Sequence, residues 1–332
     1  MDTHDLLQKI KTIPIRSSGL TGQLLAGNFR SVFRGQGIEF DEARHYQPGD
    51  DVRTIDWNAS ARFGVPFIKL FREERDLTIL ILLDTSASMH RSKNLQRLSP
   101  YEQGLLAAAL IAFSAEQKSQ RVGALLFDRD IHRVLLPRKG RQHLMALVSA
   151  VLQYQDVLKD DTVSRNKAAA RSAISKAGDS AVGSNIAEAL SSAGRLLKRR
   201  SLVVLISDFM SVNWEEELSR LCRAHDVIAL RVSDPADAQV PDWGLTVMED
   251  PETGVRVSAP STSQTFREAW KEWHAQRLEL WSNTCRRASA ACLDLPVTTD
   301  AATALYRFFS ADSRIRPAAV HSAAGAFYHG EQ

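Results

Sequence analysis

The sequence predicts an α/β fold. Its centre is a doubly wound, mostly parallel sheet covered by helices on both faces, preceded by an irregular, partly β segment. Three observations carry this. Continuous apolar runs of strand length recur at Leu77–Leu83, Leu202–Ile206 and Val227–Val232, as expected for strands buried on both faces. Helical stretches with recognisable start signals separate them, and such alternation implies a parallel sheet. Polar turns follow the runs, at the edge where sheets of this kind bind ligands.

Taken in order, residues 1–76 read as a segment apart. A Gly- and Arg-rich stretch, Phe29 to Gly37, precedes a dense polar run from Glu39 to Asp56. Strand-like pieces follow at Arg53–Trp57 and Pro66–Phe71, the second with clear alternation. The first buried strand, Leu77–Leu83, leads to a helix opened by Ser99, Pro100 and Glu102, a capping box with Pro in the first turn. A strand at Arg121–Phe127 pairs with Ile131–Leu136 as a hairpin, and a helix spans about Arg141 to Gln153. Residues 156–183 lack a period and read as a surface insertion.

Ser184 to Lys198 is expected to be helical, with Ser184 a good N-cap. Leu202–Ile206 is the second buried strand. Asn213–Ala224 is a helix with Asn213 and Glu216 as a further capping box, and Val227–Val232 is the third strand. Leu245–Glu249 and Val255–Ser258 form a hairpin around Asp250-Pro-Glu-Thr-Gly254. A long helix, Ser263 to Ala290, carries Trp270, Trp273 and Trp281. Cys292–Leu295 and Ala301–Phe309 close the domain as strand and helix, and 311–332 read as a flexible tail. Length alone, 332 residues, suggests about two domains. The pattern reduces this to one α/β domain over 77–310 behind the segment 1–76.

Composition narrows the function classes. Basic residues number 42 against 39 acidic, a net charge of +3. Such a small excess argues against nucleic acid, whose phosphates need clustered Lys and Arg. Cys222, Cys285 and Cys292 form neither a disulfide framework nor a zinc motif and read as buried reduced thiols. The N-terminus lacks an apolar core of signal length, and the longest apolar stretch, Leu105 to Phe113, is too short to span a bilayer. A cytoplasmic protein without membrane insertion is expected.

The strand ends carry the chemistry. Asp84-Thr85-Ser86-Ala87-Ser88 follows the first buried strand, Ser207-Asp208 the second, and Gly183-Ser184 opens a helix between them. Asp84, Ser86, Ser88, Ser184 and Asp208 are the candidate metal ligands. Hard oxygens of this kind suit Mg²⁺ or Mn²⁺, with waters completing the shell. Catalysis lacks comparable support, and no catalytic residue is assigned. There is no P-loop, no H-E-x-x-H and no G-x-S-x-G. An aspartyl phosphotransferase would also use an Asp here with Mg²⁺, but would want an acid where Ser86 stands. A metal-free scaffold is the other alternative.

Asp84-x-Ser86-x-Ser88 with Ser184 and Asp208 resembles the metal-ion-dependent adhesion site of von Willebrand factor type A domains. The resemblance implies that the two serines contact the ion, that Ser184 stands where Thr is usual, and that the aspartates act through water. It also implies a six-stranded, mostly parallel sheet with one antiparallel edge strand. Arg34-Gly-Gln-Gly-Ile-Glu-Phe40, Tyr46-Gln-Pro-Gly-Asp-Asp-Val-Arg53, Ile55-Asp-Trp-Asn58, Ser60-Ala-Arg62 and Glu73-Glu74 resemble the signature of the domain-of-unknown-function 58 family. Asp250 to Gly254 and Ala304 to Phe309 fit it too. That resemblance implies a bacterial or archaeal protein working beside a MoxR-type AAA+ ATPase. Together they would assemble or activate a client complex, the cation recognising a partner carboxylate. Ion pairs among Asp50, Asp51, Asp56 and the arginines Arg34, Arg44, Arg53 and Arg62 are expected to pin the N-terminal segment, with Trp57 as a packing anchor.

Overall fold

The computed structural model describes residues 39–152, 184–310 and 321–322, apart from 48–49, 51, 53–54, 73–76, 92–97, 251 and 253–254. The insertion expected at 156–183 lies outside them. The described residues divide into a unit that ends at Leu77 and a unit that starts at Thr78.

In the smaller unit, β1 (Glu39–His45) pairs antiparallel with β2 (Phe67–Arg72). Between them, α1 (Trp57–Phe63) is capped by Asp56, whose carboxylate accepts the Asn58 and Ala59 N–H groups, and it ends at Gly64 with φ 72°. This cap is why the strand expected at Arg53–Trp57 does not run through Asp56 and Trp57; Arg53 and Thr54 lie outside the described residues. Asp56 draws Trp57 into a helix, and Ile55 keeps only an isolated bridge to Ile68. Trp57 is 72 % exposed, so it is not the anchor that was expected. Among the described residues the expected pair of Arg44 and Asp50 is present, through both terminal guanidinium nitrogens at 2.7 and 2.9 Å; Arg34, Asp51 and Arg53 lie outside them.

The larger unit begins with β3 (Thr78–Asp84) and a 3-10 turn at Ala87–His90. The helix α2 (Pro100–Gln117) starts at the expected Ser99–Glu102 capping box. Then come β4 (Arg121–Phe127), β5 (Ile131–Arg138), a helix α3 described over 141–152, α4 (Ile186–Leu196) and β6 (Leu202–Ser207). The second half holds α5 (Glu215–Ala224), β7 (Asp226–Ser233), the hairpin β8 (Leu245–Glu249) and β9 (Arg256–Pro260), α6 (Gln264–Ala288), β10 (Ala291–Pro296) and α7 (Ala301–Ser310). A two-residue strand β11 (His321–Ser322) pairs parallel with β10, inside the stretch expected to be only tail.

The sheet order is β11-β10-β7-β6-β3-β4-β5. Every neighbour pair is parallel except β4–β5. Without the short β11 this is the expected six-stranded, von Willebrand factor A-like arrangement. The chain builds outward from β3 to β4 and β5, then returns to the other side of β3 for β6, β7 and β10. Strand order therefore reverses between β3 and β6, which makes their carboxyl ends the ligand edge of the sheet.

One face of the sheet is covered by α2, whose small residues let it lie close. A Cβ added at Gly104 would meet Ile206 Cγ2 at 2.9 Å. On the other face Leu80, Leu82, Val203 and Leu205 pack with Ile186, Leu190, Leu218 and Trp281. Two helix starts differ from expectation. Asn185, not Ser184, caps α4 by accepting the Glu188 N–H at 3.0 Å. Asn213 does not cap α5: it sits at φ 62°, and the helix begins at Glu215 after Trp214, without a side-chain cap. The three cysteines are free, with Cys285 and Cys292 buried and Cys222 half-buried. Burial pushes the Cys222 thiol up to about 12, so the thiol form is favoured. Among the described residues no helix is long and apolar enough to cross a membrane.

Gly123 fixes the β4–β5 edge. A Cβ there would lie 2.6 Å from the Leu135 carbonyl oxygen and 2.8 Å from the Pro137 nitrogen, both backbone atoms. Gly123→Ala is therefore expected to destabilise the domain by about 1–3 kcal/mol, the usual scale of overpacking. Urea unfolding would read this as a lower midpoint at unchanged slope.

Candidate metal centre

The site starts from strand register. Leu83 of β3 lies opposite Ile206 of β6, so Asp84 and the pair Ser207-Asp208 leave the sheet side by side. Asp84 is fully buried. One of its oxygens accepts the Ser86 N–H at 2.9 Å, and the other accepts the Ser207 hydroxyl at 2.6 Å. Ser207 in turn accepts the Phe209 N–H at 3.0 Å, so one hydroxyl ties both strand-end loops together. Thr85 is used differently. Its N–H and hydroxyl both donate to the Phe127 carbonyl, at 2.7 and 2.9 Å, which fastens the loop to β4.

Beyond this turn the hydroxyls of Ser86 and Ser88 lie 3.0 Å apart, both buried. The backbone N–H of Ser88 donates to Glu252 Oε1 at 2.8 Å. Asp208 is 8 % exposed. Its Oδ1 accepts the Met210 N–H at 3.0 Å, while its Oδ2 is buried without a hydrogen-bond partner. Ser184 is half-buried one strand further along the same edge, where the following Asn185 N–H donates to the Asp128 carbonyl just after β4 at 2.6 Å. Among the described residues no hydrogen bond joins Ser184 to the other four candidates. Four of the five expected residues are thus gathered at the β3–β6 crevice, and Ser184 flanks them.

The electrostatics follow from burial. The Asp84 carboxyl is pushed up to about 7, first by desolvation and then by the negative charge of Asp208; the Ser207 and Ser86 hydrogen bonds oppose this. Two acids in one dry crevice with one unmatched oxygen call for positive charge. Arg277 of α6 supplies part of it. Its guanidinium donates to the Phe209 and Met210 carbonyls at 3.2 Å each and lies 5.1 Å from the Trp273 ring centroid. Burial lowers its pKa and the Asp208 charge opposes that, yet Asp208 Oδ2 receives no hydrogen bond from it.

The donor set fits a small hard cation. Hydroxyls of Ser86 and Ser88 with carboxylates of Asp84 and Asp208 are oxygen donors of the kind suited to Mg²⁺, which keeps several waters, and Ser184 stands outside this group of four. Among the described residues no group of three or more His, Cys, Asp or Glu converges. Sequence reasoning missed Ser207, Glu252 and Arg277 as site residues. Ser207 was within reach, since it directly precedes Asp208 at the strand end. Glu252 and Arg277 arrive from distant elements and carried no local signal.

Residues 42–279 match the family described as "Protein of unknown function DUF58". Uncharacterized proteins of Mycobacterium bovis and Mycobacterium tuberculosis are each 29 % identical over 315 residues, covering 95 % of this chain and 92 % of theirs. Among solved structures, BatB from Bacteroides thetaiotaomicron is similar with TM-score 0.39 and 17 % identity, covering 71 % of this chain and 98 % of that one. An aerotolerance-related membrane protein from Bacteroides fragilis is similar with TM-score 0.43 and 15 % identity, covering 71 % and 100 %.

Proposed function

The chain belongs to the DUF58 family, and from that premise we propose that it is a divalent-cation-dependent protein-interaction module. The ion is held at Asp84, Ser86, Ser88, Ser184 and Asp208, and it recognises a carboxylate of a partner protein. The observation that carries this is Asp208 Oδ2, buried and unpartnered beside the buried Asp84. A Mg²⁺ or Mn²⁺ ion would neutralise both acids. With few carboxylates bound directly, it would stay electrophilic enough to take an acidic ligand. The partner side of the proposal is a MoxR-type AAA+ ATPase together with a client complex that the two assemble or activate in the cytoplasm, without catalysis by this chain.

The metal-free scaffold reading has one point in its favour, the charge of Arg277 near Asp208. Its hydrogen bonds go to the Phe209 and Met210 carbonyls instead, so it leaves the acid oxygen unmatched. The test is binding of a purified MoxR-type ATPase from the same organism to the full chain. Chelator and Ser86→Ala are each expected to weaken it at least tenfold, and Mn²⁺ is expected to restore the chelated protein. Binding that is equal in Mg²⁺ and in chelator would overturn the proposal.

A further inference from the structure

Between β8 and β9 a turn residue, Glu252, meets the serine end of the candidate cation site. Glu252 sits in that turn, 164 residues from Ser88, and its carboxylate accepts the Ser88 N–H at 2.8 Å. The turn aims it there: the Glu252 N–H donates to Asp250 Oδ1 at 3.0 Å. Among the described residues no Arg or Lys pairs with Glu252. An acid therefore sits on the backbone of one candidate ion ligand, and among the described residues the Ser88 N–H is the hydrogen-bond donor to its side chain. The Ser86 and Ser88 hydroxyls lie 3.0 Å apart, and a carboxylate seated on the Ser88 N–H is placed beside an ion held by them.

We propose that Glu252 is a built-in acidic occupant of the site, standing where a partner's carboxylate is received. The inference rests on the cation-dependent reading above and deepens it by adding self-occupancy as its regulation. The hairpin is lightly held, as a displaceable occupant must be. Of the residues in β8 and β9 only Ala259 is buried, and elements with few buried contacts open at low free energy. An incoming acidic side chain would then exchange with Glu252 at the ion, and the turn would leave Ser88.

The probe is Mn²⁺ added to the purified full chain, read by electron paramagnetic resonance for affinity and by water-proton relaxation for the hydration of the bound ion. Glu252→Gln is the informative variant. Its amide oxygen can still accept the Ser88 N–H, so the turn keeps its seat while the charge is removed. It is expected to bind Mn²⁺ about tenfold more weakly, on the scale by which supporting groups tune metal sites. The bound ion is expected to gain at least one exchangeable water, and acetate should remove that water. Equal hydration in the wild type and in Glu252→Gln overturns the assignment, whatever the affinities. The control is Asp84→Asn. If the wild type binds no Mn²⁺, or binds it no better than Asp84→Asn, the cation reading falls and takes this inference with it. If only the Glu252 variant is silent, the cation reading stands alone.

Discussion

Asp84→Asn is expected to raise the stability of the metal-free protein and to abolish its response to divalent cations. Asp84 is fully buried, and its carboxyl is held up at about 7, against 3.8 for an ordinary aspartate, by burial and by Asp208. Because the folded value lies above the unfolded one, the folded state keeps a proton that the unfolded state releases between about pH 4 and pH 7. Stability of the metal-free protein should therefore fall as pH rises through that window and level off above 7. At about 1.4 kcal/mol per pH unit, the full penalty is on the order of 4 kcal/mol.

Asparagine escapes this penalty. Its carbonyl can still accept the Ser86 N–H, and Ser207, a hydroxyl with two lone pairs, can turn to accept from the amide. Thermal unfolding in chelator from pH 5 to 8 should show a wild-type melting temperature that declines with pH. The variant's should be nearly flat, and higher at pH 8 by about 5–10 °C. Mg²⁺ should raise the wild type only, since an ion that binds the folded state alone stabilises it by mass action. A variant that melts below the wild type at pH 8 in chelator would show that the crevice tolerates its two acids without a cation.

This trade of stability for a site was partly legible in the sequence. The run Leu77–Leu83 is apolar throughout because β3 is central and covered on both faces, so the Asp that ends it announces a polar strand end. The same logic exposes Asp208 after β6. Position along the chain could not show that Ser207 bridges the two loops, because that role depends on the β3–β6 register. Ser184 and Asn185 are adjacent cap formers, and a one-residue choice between them lies below the resolution of local propensity. The start of α1 was missed for a similar reason: Asp56 satisfies two N–H groups of its own helix, a local bond that outcompetes an extended conformation at Trp57. Glu252 was invisible as a site residue because nothing in an Asp-Pro-Glu-Thr-Gly turn indicates where its acid will land. Strands and their polar ends follow from local pattern, and the groups that complete the crevice follow from long-range contact.

Arg231→Met is expected to destabilise the fold strongly, by a buried charge left without its partner. Arg231 of β7 lies opposite Asp294 of β10 in register, and NH1 meets the carboxylate at 3.3 Å, with side chains only 14 % and 8 % exposed. Burial pushes the Asp294 carboxyl up, and Arg231 is the first of the groups that hold it down. Methionine keeps much of the stem's bulk but removes the charge, leaving an acid buried without its cation. Breaking such a pair from one side costs about 3–5 kcal/mol. Urea unfolding should register that loss, and it should shrink at acid pH as Asp294 takes a proton. The double variant Arg231→Met with Asp294→Asn should recover most of it, because neither position of the pair then carries a charge. If the double variant is no better than the single one, packing rather than charge sets the loss. The pair also bears on the site, since Arg231 is the register partner of Ser207 and its charge is among the causes that lower the Arg277 pKa. Removing it takes positive charge away from the edge where Asp84 and Asp208 sit. The folded fraction of Arg231→Met should therefore bind Mn²⁺ more tightly than the wild type while the fold itself is weaker, a combination that a purely structural role for Arg231 would not produce.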